Sequence, residues 1–157
     1  MKMHCAYPYT ARTNAAGQTE IGFVDLQEST VTLESKGDSE SIHKAAKQLL
    51  LDIFEARMAK HETIPGGQAL ASKGGDAFVF VNPLVLAKLV LYNEFCKAGA
   101  SNNAFAKKVG VSPTSFGRLL NVRHESKERL IFSAFAALGI KTDWDFSLVP
   151  IERSYPT

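Results

Sequence analysis

What this sequence is short of narrows it first. Its two cysteines, Cys5 and Cys96, lie far apart and in no C-x-x-C pair, so neither a disulfide framework nor a zinc site is indicated. No apolar run approaches the roughly 20 residues of a membrane-spanning helix. The opening MKMHCAYPYTARTN lacks the apolar core of a secretory signal, and the expectation is a cytoplasmic protein with no membrane partner. The four histidines, His4, His43, His61 and His124, show no ligand or triad spacing. Glu20, Asp25, Glu28 and Glu34 fall at strand and turn positions expected to point in different directions, whereas metal-dependent cleavage needs carboxylates that converge on one or two divalent ions. The chain is therefore read as a non-enzyme with no catalytic residue, cofactor or metal. A net charge of +2 also excludes a polyelectrolyte.

The small net charge conceals an uneven distribution. Residues 1–76 carry 8 Lys/Arg against 10 Asp/Glu, residues 77–157 carry 10 against 6, and within 97–129 the ratio is 7 to 2. The basic end is where an anionic partner would be met. A chain of 157 residues, 45% hydrophobic and 22% charged, suits one medium globular domain or two small ones.

Taken in order, MHCAYPY from Met3 and EIGFVDL from Glu20 flank a Gly17-containing turn and make a plausible hairpin, with Pro8 predicting that the first strand is an edge or ends there. TVTLE, 30–34, can add a third strand, and the Ser35–Asp38 stretch has turn chemistry. A helix is predicted over about 39–61, with Ile42, Ala46, Leu49, Leu50, Ile53 and Phe54 in one stripe and Asp38 or Ser39 as cap; Lys44, Lys47, Glu55 and Lys60 fall on the solvated face. IPGGQALASKGGD, 64–76, reads as a mobile loop, and AFVFV, 77–81, as a strand. Asn82-Pro83 opens a helix over 84–97 whose Leu86, Leu89, Val90 and Phe95 face the elements that follow. A closing helix spans about 126–138, and DWDFSLVPI near the end can form a short strand or arm.

The stretch 102–121, NNAFAKKVGVSPTSFGRLLN, organises the second half. Phe105, Ala106, Val109, Val111, Phe116, Leu119 and Leu120 are spaced for two short helices sharing a core. Gly110 supplies the left-handed backbone of the turn, and Ser112-Pro113 restarts the chain with a side-chain cap and a proline at the first helical position. Apolar spacing alone would describe any helical hairpin. The small Ala106 four residues before Gly110, the turn, the cap and the local charge together resemble the helix-turn-helix of DNA-binding regulators. Removing the buried positions of the second helix leaves Ser112, Thr114, Ser115, Gly117, Arg118 and Asn121 to face the major groove, with Arg118 suited to guanine and Asn121 to adenine. Ser101, Asn102 and Asn103, capping the preceding helix, and Lys107, Arg123 and Lys127 are the candidates for phosphate. The serine caps are equally explained by helix stability.

GFVDLQE (22–28), KAAKQLLLDIFEA (44–56), IPGG (64–67), FVFVNPLVLAKLVLYNEF (78–95) and AFAKKVGVSPTSFGRLLNVRHESK (104–127), followed by the closing helix, occur in an order that resembles the HicB antitoxins in their helix-turn-helix variant, over roughly residues 1–142. The resemblance implies an α+β chain: a partial RNase H-like β-β-β-α-β domain over 1–81, an all-α helix-turn-helix and dimerisation domain over 82–142, and a tail over 143–157. It also implies a HicA-like mRNA-cleaving toxin as partner, bound and blocked by the first domain, and repression of its own operon through double-stranded operator DNA. A palindromic operator calls for a homodimer or a dimer of dimers, with Phe132 and Phe135 as a dimer surface. The alternative is a stand-alone transcriptional regulator, for instance phage-borne, with no toxin partner.

Overall fold

A computed structural model of the chain describes residues 3–68 and 77–143. The elements run β1 (Ala6–Thr13), β2 (Thr19–Phe23), β3 (Thr30–Leu33), α1 (Ser39–Ala59), β4 (Ala77–Phe80), α2 (Pro83–Ala98), α3 (Asn102–Val109), α4 (Pro113–Leu120) and α5 (Glu128–Ala137). They fall into two compact bodies. One takes residues 3–56, 65–68 and 77–81; the other takes 57–64 and 82–143. The strand expected near the C-terminus lies outside the described residues, apart from Asp143.

The first body is a four-stranded sheet in the order β3-β2-β1-β4, antiparallel at every pairing. Tyr7, Tyr9, Ile21, Phe23 and Val79 are buried on the face turned to α1, which contributes Ala46, Leu49, Leu50, Ile53 and Phe54. The Tyr7 and Phe54 rings meet edge to face at 5.4 Å, and burying Phe54 stabilises the body by about 2–3 kcal/mol. The Tyr7 hydroxyl donates to the Pro65 carbonyl at 2.9 Å, and burial pushes its phenol up from the ordinary tyrosine value. Asp38 caps α1, its Oδ1 accepting from the Ser41 N–H at 2.8 Å. Hydrogen bonds from the Ser41 side chain first, and then from its N–H, lower the Asp38 carboxyl below the usual aspartate range.

Pro8 does not end or edge its strand, as its lack of an N–H had suggested. β1 runs eight residues and lies between β2 and β4. The reason is where Pro8 falls in the ladder. Pairing with β2 starts at Tyr9↔Phe23, and on the same side Ala6 bridges to Gln68. Pro8 occupies the seam between these two partners, where its carbonyl accepts from the Val24 N–H at 3.0 Å and no donor is demanded of it. Of the glycine-rich stretch read as a loop, 69–76 lie outside the described residues, and its first part is held in place: Ile64 is buried, and Gly67 and Gln68 bridge to His4 and Ala6. A Cβ on Gly67 would stand 2.5 Å from the Ala6 carbonyl oxygen, so only glycine permits this approach.

α1 stops at Ala59, two residues earlier than its apolar period suggests. His61 takes φ 56, and the Glu62 N–H closes back on the Arg57 carbonyl at 3.0 Å. The following segment, assigned by sequence to the first domain, is fastened to the helical body. The buried Asn93 side chain pairs with both main-chain groups of Ile64, at 2.8 Å each, and the Tyr92 hydroxyl donates to the Glu62 carbonyl at 3.0 Å.

In the second body α2 packs on α4 and α5, and α3 on α4 and α5. Its centre is a triangle of rings, Phe95, Phe105 and Phe116, with centroids 5.2–5.4 Å apart. Asn82 caps α2 through its side chain, which accepts from the Leu84 N–H at 2.8 Å. Phe135, expected on a dimer surface, is 1% exposed. At its position on α5 it faces inward with Ile131 and Ala134, and the ring is consumed by the single-chain core. Phe132 is half-buried, and Leu130 is the large apolar side chain of α5 that stays in the open.

Candidate nucleic-acid interface

Two eight-residue helices, α3 and α4, meet through a turn at Gly110, whose φ of 79 is left-handed. The Gly110 N–H returns to the Lys107 carbonyl at 3.2 Å and the Val111 N–H to Ala106 at 3.0 Å, which closes α3 and reverses the chain. Ala106 is fully buried beside Phe105 and Val109, while α4 buries Phe116 and Leu119. Ser101 caps α3, accepting from the Ala104 N–H at 3.2 Å; Asn102 and Asn103, expected to cap with it, lie inside the first turn. Ser112 caps α4, accepting from the Ser115 N–H at 3.1 Å and bonding the Ser115 hydroxyl at 3.0 Å.

On α4, Thr114, Gly117, Arg118 and Asn121, singled out from sequence, are exposed, and the spacings of three and four from Thr114 to Gly117 and Arg118, and from these two to Asn121, place them on a single helical face. Ser112 is exposed and Ser115 half-buried; Ser101, Asn102, Asn103, Lys107, Arg123 and Lys127 are all exposed. Asn121 is also the C-cap of α4, and its Oδ1 accepts from the Arg123 N–H at 2.9 Å. One lone pair of that oxygen and the amide protons remain for another partner.

Sequence reasoning missed Lys88. It is 2% exposed, and its ammonium donates to three main-chain oxygens: Arg118 at 3.2 Å, Asn121 at 2.9 Å, and His124. Three acceptors for three protons is what a buried ammonium requires, since removing it from water costs on the order of several kcal/mol. Its positive charge also lies at the negative end of the α4 dipole. Burial holds Lys88 below the ordinary lysine value. The signal was available: in LVLAKLVLY, Lys88 stands four residues after Leu84 and four before Tyr92, a lone cation within an apolar stripe.

On the sheet body, Asp25 lies just past β2 rather than within a strand, exposed, with its carboxylate accepting from the Gln68 side-chain amide. Among the described residues no three His, Cys, Asp or Glu side chains group as metal ligands. The sheet face opposite α1 carries a shallow depression of about 280 Å³ lined by Thr10, Arg12, Glu20, Gly22 and Thr30, and Phe80 on the edge strand β4 is 49% exposed. No described helix is long and apolar enough to cross a membrane.

Antitoxin HicB of Escherichia coli strain K12 is 29% identical to the chain over 133 residues, 85% of this chain and 93% of that protein, and Antitoxin HicB of strain O157:H7 aligns equally. Antitoxin HicB 2 of Photorhabdus laumondii is 25% identical over 139 residues, 88% and 94% of the two chains. Over most of its length the chain is similar to the HicB antitoxins. An alignment of 133 residues is longer than either compact body, so the likeness to HicB takes in both the sheet and the helices. No protein-family model matches the chain.

Proposed function

We propose that this chain is an antitoxin of the HicB family that neutralises a HicA-like mRNA interferase and represses its own operon. In this reading the α3–α4 pair is a helix-turn-helix, α4 enters the major groove, and the sheet body is the partial RNase H-like domain of the family, used for capture without cleavage. The observation that carries the DNA half is the division of α4 into a buried face, Phe116 and Leu119, and an exposed polar face that includes Arg118. Arg118 offers two parallel donors to guanine, and Thr114, Ser115 and Asn121 offer shorter contacts beside it. Gly117 lets the backbone come close. Ser112 serves mainly as the cap, while Ser101, Asn102, Asn103, Lys107, Arg123 and Lys127 neutralise or bond phosphates.

The antitoxin half is supported by the names of the relatives. A toxin held against the open sheet face around Arg12 and Glu20, and against the β4 edge with Phe80, would be closed to RNA by occlusion, which asks for no chemistry from this protein. A single reader covers few base pairs, so two-fold pairing on a palindrome is expected, with Leu130 of α5 as its apolar contact. Co-expression with a small basic protein from an adjacent reading frame is the test. Rescue of growth and co-purification are expected; failure of both removes the antitoxin reading and leaves a stand-alone regulator.

A further inference from the structure

Arg118 and Asn121 each do two things at once. Their side chains are exposed on the candidate reading face, and their carbonyls turn inward to the buried ammonium of Lys88. Lys88 comes from α2, not from the reader pair itself, and its third acceptor, His124, closes the turn after α4 through its own N–H to the Asn121 carbonyl at 3.1 Å. One cation thus ties the last turn of α4 and the next turn to a helix that is buried along Leu86, Leu89 and Leu91. The peptide planes at 118 and 121 set the direction of the Cα–Cβ bonds, so fixing these carbonyls fixes where the two side chains emerge. A misplacement of about 1 Å suffices to lose bidentate geometry to a base edge, while a charge that meets phosphate tolerates it.

We propose that Lys88 is a positioning residue for sequence reading: it touches no DNA, but holds Arg118 and Asn121 at the angle that discriminates bases. The proposal rests on the helix-turn-helix reading above. It differs from a purely structural role in what it affects, since loss of the Lys88 bonds should reduce specificity more than general DNA affinity.

The test uses the full chain and two duplexes of equal length, one from the region upstream of its own gene and one with that sequence scrambled. Affinity is measured for each by fluorescence anisotropy, with folding checked by circular dichroism at the assay temperature. Lys88→Met keeps the length and removes the donors. It is expected to lose at least tenfold on the native duplex and less than threefold on the scrambled one, and Lys88→Arg, which keeps the charge and several donors, to recover part of the ratio. If Lys88→Met is unfolded, Lys88→Gln, which retains two donors, decides the same comparison. Equal losses on both duplexes, no loss on either, or unfolding of both Lys88→Met and Lys88→Gln would overturn the proposal in favour of a structural role. Wild-type protein that fails to prefer the native duplex would instead overturn the DNA reading on which it rests.

Discussion

The Lys88 ammonium lies 2.9 Å from the carbonyl oxygen of Asn121, a residue whose side chain is exposed at the end of α4. The contact joins a buried cation in an apolar helix to the negative end of a short one. An eight-residue helix is marginal by itself. Its stability comes from one apolar face, a serine cap at the start and this cation at the end.

Asn93 has a similar part at the other side of α2. Its amide makes a two-way bond with the Ile64 main chain, and both residues are buried. Asn93→Ala leaves an N–H and a carbonyl without their partner. The expected cost is about 2–4 kcal/mol, read as a lower urea midpoint by far-ultraviolet circular dichroism. A loss below about 0.5 kcal/mol would mean that water replaces the amide.

Ser112 separates capping from contact. Because its hydroxyl already serves the Ser115 N–H, Ser112→Ala should lower stability by about 1 kcal/mol and weaken native and scrambled DNA alike. Ser112→Asp should restore stability while weakening DNA binding through its charge. A Ser112→Ala protein of normal stability that loses only native-duplex affinity would place this hydroxyl on a base.

His43 gives the sheet body a pH dependence. Burial and then the Lys47 charge hold its imidazole below the usual histidine value, with the Tyr9 hydroxyl 3.3 Å from Nδ1. A histidine lowered in the folded state takes up its proton first in the unfolded chain. The stability it contributes is complete above the unfolded value of 6.5 and is lost as pH falls through the lower folded value. Melting temperatures measured from pH 8 to pH 5 should therefore decline on the acid side, and His43→Gln should flatten that part of the curve. An unchanged slope in the variant would assign the decline to other groups.

The parts of this fold that could be read from sequence are those whose cause is local. The α1 stripe from Ile42 to Phe54, the left-handed Gly110 and the Ser112-Pro113 restart depend on neighbours within a few residues, and all three occur as expected. What escaped depends on partners far along the chain. Pro8 is tolerated in a central strand because two different segments meet beside it. Lys88 is tolerated in an apolar helix because three carbonyls some thirty residues later come to it. Phe135 looked surplus because the depth of the helical core, which needs it, is a property of four packed helices.

Arg118 and Lys107 divide the proposed DNA contact into reading and attraction. Arg118 is exposed on the outer face of α4, where two donors can address one base edge, so Arg118→Ala should weaken the native duplex by about 1–3 kcal/mol and the scrambled one much less. Lys107, exposed in the last turn of α3, offers a point charge with no directional preference. Lys107→Ala should weaken both duplexes similarly and lower the slope of log affinity against log salt by about 1. Titrations of each variant at several salt concentrations distinguish the two roles. If both variants lost equally on both duplexes, α4 would be binding DNA by charge alone, and the reading face would have to be sought elsewhere on the helical body.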